Sequence, residues 1–285
     1  MALRLGTIAP VGFEDFPPET YLDCFRRLGC RTVQAYRNED AGITAGQVRD
    51  AVAIGGMPCD SLHGLFGPDL DPSSTSEKRR SYAVDTYKSE GELALEIGRD
   101  EAERCELVVV HCSPPLDTLP SPREHAERLD ALRRSVQELG RFGQQIGVRY
   151  AFENLPPQHV PGADVAELAE LLTDVAAPNT GMCFDSAHAD LVGDAVNALR
   201  QTNGRMIYLH LTDHAAEADD HEMLTCGKLD HEQLAAAVSE LGFDHTMMLE
   251  VFQPLDYLQQ LIDNGLAERL QRFLSQCRPK NDGKC

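Results

Sequence analysis

Eight short runs rich in β-forming residues recur along this chain, and each is followed by a longer stretch with helical periodicity. The runs are Arg4–Ile8, Thr32–Tyr36, Cys59–His63, Leu107–His111, Arg149–Glu153, Met182–Asp185, Met206–His210 and Thr246–Glu250. The spacing predicts helices over Pro18–Leu28, Ala45–Ile54, Ser76–Ile97, Pro122–Ile146, Ala163–Thr173, Ala195–Gln201, His231–Leu241 and Tyr257–Phe273. Gly55, Gly98, Gly147, Gly204 and Gly242 stand where helices should stop. Strand-then-helix alternation calls for parallel strands joined by crossover helices, and eight such units in 285 residues close most economically into a (β/α)8 TIM barrel. No Gly-rich phosphate loop follows the first run, which argues against an open dinucleotide-binding sheet. The expected organisation is a single barrel domain over 1–277 with a polar C-terminal tail over 278–285.

Composition narrows the function classes. The net charge is −20, which disfavours nucleic acid and anionic membranes because both are held mainly through Lys and Arg. A local basic patch would override that mean field, so nucleic acid is disfavoured rather than excluded. No apolar run reaches the roughly 18 residues that span a bilayer, and no secretory pattern opens the chain, so a cytoplasmic location is expected. Nine scattered cysteines form no C-x-x-C pair and read as buried thiols rather than a zinc ribbon or a redox motif.

The chemistry is concentrated at the strand ends. Runs three to eight finish in His63, His111, Glu153, Asp185, His210 and Glu250. Those residue types fill about a fifth of the chain; with one residue of slack at each strand end, six coincidences have a chance of about one in seventy. In a parallel barrel all carboxyl ends meet at one mouth, so these six side chains should converge. Three carboxylates a few ångströms apart repel one another and call for a cation. Imidazoles with carboxylates are ligands for Zn²⁺, Mn²⁺, Fe²⁺ or Co²⁺. His188, three residues after Asp185, is placed to turn back to the same site. The loop after run seven adds Asp213, His214, Asp219, Asp220 and His221. His125, His159, His231 and His245 read as surface or capping residues.

At these residues the chain resembles the xylose-isomerase-like TIM barrel superfamily, which holds sugar isomerases and epimerases and also endonuclease IV. The carriers are Ser61-Leu62-His63-Gly64, Val110-His111-Cys112-Ser113-Pro114, Phe152-Glu153-Asn154, Phe184-Asp185-Ser186-Ala187-His188, Leu209-His210-Leu211-Thr212-Asp213, Asp219-Asp220-His221 and Leu249-Glu250-Val251. The epimerase and isomerase resemblance implies one metal held at Glu153, Asp185, His210 and Glu250. It implies the two glutamates as an acid/base pair, with His188 contacting substrate. The endonuclease IV resemblance implies three zinc ions shared among nine positions, adding His63, His111, His188, Asp219 and His221. All nine carry the required residue type. The loops depart from that second pattern: Tyr36-Arg37-Asn38-Glu39-Asp40 holds an Arg but is otherwise acidic, Leu65-Phe66-Gly67-Pro68-Asp69 has an aromatic but no base, and there is no Trp.

The expectation is therefore a divalent-metal-dependent isomerase or epimerase of a sugar, sugar phosphate or related polyol, working through a metal-stabilised enediolate. Glu153 and Glu250 would move the proton, and His188 and Arg37 would hold substrate. The metal would be Mn²⁺ or Co²⁺ if mononuclear and Zn²⁺ if multinuclear, and a homo-oligomer is compatible with this reading. The alternative is a multinuclear zinc phosphoesterase acting on abasic DNA or a small phosphodiester. A barrel retained only as a scaffold is disfavoured, because no ligand position is lost.

Overall fold

The computed structural model describes residues 3–38, 42–98, 104–215 and 218–278. Glu39 and Asp40 of the loop after the second strand, and tail residues 279–285, lie outside the described residues. Eight parallel strands close into a barrel in sequence order: β1 (Arg4–Val11), β2 (Thr32–Arg37), β3 (Cys59–His63), β4 (Leu107–His111), β5 (Arg149–Glu153), β6 (Thr180–Asp185), β7 (Met206–His210) and β8 (Thr246–Leu249). Around them run α1 (Pro18–Arg27), α2 (Ala45–Gly55), α3 (Glu77–Ile97), α4 (Pro122–Ile146), α5 (Val165–Val175), α6 (Ser186–Val192), α7 (Ala195–Arg200), α8 (His231–Leu241), α9 (Leu255–Asp263) and α10 (Leu266–Gln276).

Two helical expectations change. The single helix expected over Tyr257–Phe273 is two, because Gly265 takes a left-handed φ of 79° and breaks the hydrogen-bond ladder between α9 and α10. The short α6 begins directly at the end of β6, its first turn capped by the Asp185 carboxylate. A seven-residue helix following a strand without a spacer leaves too little periodicity to read. Several strands also run a residue or more beyond their expected bounds, whereas β8 stops one short, at Leu249.

Strand register explains why the six chemical residues share one side of the sheet. His63 pairs with Val109, His111 with Glu153, Glu153 with Cys183, Asp185 with His210, and His210 with Met248. Moving from one chemical residue to the next costs zero or two residues along the strand. Even steps keep side chains on one face of a pleated strand, here the barrel interior. Below them on the same face lie Leu107, Val109, Ala151, Cys183, Tyr208 and Met248, which pack into a separate apolar layer. The other face of the strands packs on the helices in the main core. At the opposite, amino-terminal end, Asp60 accepts hydrogen bonds from Arg4 Nη2 (3.1 Å), Thr246 Oγ1 (2.5 Å) and Tyr208 OH (3.1 Å), closing the barrel floor.

Gly64 follows His63 in tight quarters. A Cβ there would sit 2.6 Å from the Val109 carbonyl oxygen and 2.9 Å from a Tyr87 ring carbon. Gly64→Ala is expected to push β3 off β4, cost about 1–3 kcal/mol of stability in urea titration and displace His63. A variant as stable as the parent, with unchanged metal content, would contradict this packing. No helix among the described residues is long and apolar enough to cross a membrane.

Candidate metal centre and active site

Glu153, Asp185, His210 and Glu250 meet at the carboxyl end of the barrel, each offering a ligand atom within 4.8 Å of the others, and all four are buried. They come from the ends of β5, β6 and β7 and the first residue past β8. His210 Nδ1 lies 2.7 Å from both Glu153 Oε1 and Glu250 Oε2. The first contact is a hydrogen bond, with the imidazole donating. The second lacks hydrogen-bond geometry, so Glu250 Oε2 has no partner, and neither do Glu153 Oε2 and His210 Nε2. Buried acceptors are rarely left unsatisfied, since each costs on the order of 1–3 kcal/mol.

A second group shares Glu153. His63 Nε2 is 3.7 Å and His111 Nε2 3.3 Å from Glu153 Oε2, and His63 Nε2 also stands 3.8 Å from Glu250 Oε1. Beyond it, His188 Nε2 is 3.1 Å and His221 Nε2 3.6 Å from Asp219 Oδ2. Among the described residues, all nine positions expected to hold metal therefore gather at the mouth in three adjoining groups.

Backbone carbonyls set the imidazole tautomers. His63 Nδ1 donates to the Gly64 carbonyl (2.9 Å), His188 Nδ1 to the Asn154 carbonyl (2.9 Å) and His221 Nδ1 to the Glu250 carbonyl (3.2 Å). A carbonyl can only accept, so each Nδ1 carries the proton and Nε2 is turned toward the carboxylates. This is the arrangement by which neighbouring groups orient metal-binding histidines. Asp185 is held as firmly. Its Oδ2 accepts from Thr212 Oγ1 at 2.7 Å, and its backbone N–H donates to Asn154 Oδ1 at 2.8 Å. The Asn154 amide in turn donates to the Asp185 carbonyl at 3.0 Å.

The charges are those of a site built around a cation. Burial alone would raise the two glutamates. The surrounding His210, His111 and His63 outweigh it at Glu153, holding that carboxyl well below the ordinary range. His210 and His63 bring Glu250 down to about 2. Burial lowers His111 to about 4, so its ring is neutral at pH 7. His210 and His188 go the other way: burial disfavours their charged forms, but Cys183, Glu250 and Glu153 raise the first well above the usual imidazole value, and Asp185 and Asp219 raise the second. Asp185, where burial dominates, is raised. Unpartnered buried oxygens, presented Nε2 atoms and three crowded acids together fit one or more divalent ions of borderline hardness.

Some expected residues play other parts. The Asp213 carboxylate is spent on the backbone N–H groups of His214, Gly227 and Leu229, tying its own loop together. His214 Nε2 pairs with Asp190 Oδ2 at 2.8 Å, and Asp220 accepts from the Ala215 N–H. These three do not join the metal groups. Arg37 lines the mouth, with Nη2 on the buried Glu90 carboxylate. His159, expected at the surface, is buried, donates from Nδ1 to the Ser113 carbonyl at 2.8 Å and lies ring to ring with His111 at 6.2 Å. Its place follows from the fold of the loop after β5, which no local pattern announces. Asn154 and Thr212 carried no role in the sequence reading. Their signal was adjacency: each lies within two residues of a strand-end ligand.

A cavity of about 440 Å³ opens beside these groups, lined by Phe13, Tyr36, Arg37, Asn38, Phe66, Gly67, His221 and Phe252. Tyr36 packs on His63 at 4.6 Å and Phe66 stacks on His111 at 4.5 Å between centroids, so the cavity wall is continuous with the ligand ring.

The family model described as xylose isomerase-like TIM barrel matches residues 22–276. The chain is 26% identical over 195 residues to an uncharacterized protein of Methanocaldococcus jannaschii, covering 66% of this chain and 63% of that one. It is 24% identical over 129 residues to an inosose isomerase of Bacillus subtilis, covering 43% and 46%. It thus spans just under two thirds of the first relative's length and about half of the second's. Among solved structures, a D-tagatose 3-epimerase-like protein superposes with a TM-score of 0.75 at 19% identity, covering 97% of this chain and 98% of that one. A 3-keto-D-glucoside 4-epimerase from E. coli gives 0.72 at 15%, covering 96% and 99%. At these identities the superpositions speak for the fold.

Proposed function

This chain belongs to the xylose isomerase-like TIM barrel family, and from that premise we propose that it is a divalent-metal-dependent isomerase or epimerase of a sugar or related polyol. The observation that carries the reading is the pair of buried glutamates, Glu153 and Glu250, set on one imidazole at 2.7 Å each. Both are held ionised, the form that accepts a proton. Glu153, Asp185, His210 and Glu250 would hold the ion. When bound, it would act as a Lewis acid on neighbouring substrate oxygens and ease the negative charge that appears as a carbon-bound proton leaves.

The residues divide the remaining work. One glutamate takes the proton from carbon and the other returns it, on the opposite face for an epimerisation or at the neighbouring carbon for an isomerisation. Asn154 and Thr212 keep Asp185 from rotating out of the site. His188, fixed from Nδ1 by the Asn154 carbonyl, would reach a substrate hydroxyl through Nε2 by exchanging its contact with Asp219. The inosose isomerases and the epimerase structures to which the chain is similar support this class of reaction.

One observation favours a second reading, the zinc phosphoesterase. His63, His111 and Glu153 bring three ligand atoms within 4.8 Å of one another and could hold a second ion. Changing His111 to Ala separates the two. A single-metal isomerase should keep turnover within about tenfold, whereas a multinuclear phosphoesterase should lose at least about a hundredfold. The decisive measurement pairs metal content of protein purified without chelator with two assays: exchange of carbon-bound hydrogen in ketoses in D₂O, and cleavage of an abasic-site oligonucleotide. One Mn²⁺ or Co²⁺ per chain with ketose exchange supports the proposal. Three zinc ions per chain with strand cleavage and no ketose exchange overturn it.

A further inference from the structure

His210 is turned the other way from the remaining histidines of the metal groups. His63, His111, His188 and His221 face the acids through Nε2. His210 faces them through Nδ1, 2.7 Å from both Glu153 and Glu250. Ligation needs a neutral ring with its lone pair toward the ion. For His210 that puts the lone pair on Nδ1 and the remaining proton on Nε2. At His63, His188 and His221 a backbone carbonyl fixes the choice by taking the Nδ1 proton. No carbonyl serves His210 in that way. Its Nε2 is buried and without a hydrogen-bond partner. A buried N–H left in that condition is costly, so the metal-binding tautomer is penalised unless an acceptor lies close.

The layer beneath the ligand ring decides which acceptor that is. Leu107, Val109 and Ala151 of this layer have no acceptor in their side chains. The Tyr208 hydroxyl is spent at the barrel floor, on Asp60 and Ser61. Met248 carries its terminal methyl toward Gly6, where a Cβ would meet it at 2.7 Å. Cys183 remains. It pairs with Glu153 in the strand register and is fully buried. Its Sγ lies within 4.8 Å of a ring nitrogen of His210 and of a Glu153 carboxylate oxygen. Sulfur is a weak acceptor, but it is large and polarisable, and it can take an N–H at long range.

We propose that Cys183 is the positioning residue of His210: its sulfur accepts the Nε2–H and so leaves Nδ1 to bind the ion. This rests on the metal-dependent reading of the site and deepens it. The thiol keeps its own proton, makes no bond to the metal and takes no part in moving protons to or from substrate. The hydrogen bond from Nδ1 to Glu153 sets the present angle of the ring. Once Nδ1 gives up that proton, Nε2–H can settle on the sulfur.

The test reads the ring directly. Long-range ¹H–¹⁵N correlation spectra of the Zn²⁺-loaded protein should show His210 protonated at Nε2 and without hydrogen at Nδ1. Two variants then separate hydrogen bonding from packing. Cys183→Ala and Cys183→Ser leave nearly the same volume, so any packing loss is common to both, and only serine restores an acceptor. In calorimetric titration with Zn²⁺, the alanine variant should bind about 10–100-fold more weakly than the parent, and the serine variant should return to within about threefold of it. His210 protonated at Nδ1 in the loaded parent overturns the proposal. Equal losses in the two variants overturn it too, as does an alanine variant that binds as tightly as the parent. The spectrum of the parent decides the matter even where neither variant folds. No step of this test uses substrate, so failure of ketoses to exchange carbon-bound hydrogen in D₂O would count against the isomerase reading alone.

Discussion

Glu153→Gln should lower turnover by at least about a thousandfold while the barrel stays folded. The amide cannot accept a proton from carbon, and loss of general-base catalysis alone costs about 10²–10⁴-fold. The same change removes the carboxylate common to all the metal groups around His210 and His63, so the loss should reach the upper part of that range. Glu250→Gln should behave similarly, since Glu250 is the second carboxylate set against His210. The two glutamates act as a unit, so the double variant should be little worse than either single one. The assay is carbon-bound hydrogen exchange in D₂O, with circular dichroism to establish folding. Either single variant folded and within tenfold of the parent would remove these glutamates from the mechanism.

Removal of divalent metal has the second largest expected effect. Chelation should abolish turnover, and reloading should restore it and raise thermal stability. At a hundredfold excess of ion over its Kd, linkage gives about 2.7 kcal/mol. For a chain of this size that corresponds to a Tm rise of about 4–5 °C. The gain should depend on pH in a definite direction. His210 and His188 are raised well above the usual imidazole value, so both are protonated near neutrality. Ligation requires the neutral ring, so an ion must displace at least one proton. The stabilisation on loading is therefore largest at alkaline pH and shrinks as pH falls, with affinity dropping up to about tenfold per unit for each proton displaced. Differential scanning fluorimetry with and without ion at pH 6 and pH 8 measures it. A larger shift at pH 6 than at pH 8 would mean that no imidazole gives up a proton on binding.

The strand ends were legible because their signal is local. A β-rich run that stops at His111 or Asp185 shows both the element and its terminal residue in five or six letters. His159 was misjudged, and the part played by Asp213 was not legible, for the converse reason. Whether a loop histidine is buried against the Ser113 carbonyl, or a loop aspartate folds back on its own backbone, depends on chain path and not on neighbouring letters. The split between α9 and α10 falls between these cases. Its Asn264-Gly265 pair is a turn signal, but the apolar stripe on either side masks it.

Residue order alone was enough for the class of architecture and for the set of side chains that face one another at the mouth. Periodicity and alternation are carried by near neighbours, and a parallel barrel sends every strand end to the same face. Distances, tautomers and charge states had to wait for the assembled barrel. The register of β5 against β4 and β6 brings Glu153 beside His111 and two residues behind Asp185. The Gly64, Asn154 and Glu250 carbonyls turn three imidazoles toward the acids. The pairing of Arg37 Nη2 with Glu90 anchors a cation at the mouth cavity. All but the His63–Gly64 bond join residues far apart in the chain, and burial gives the contacts their strength.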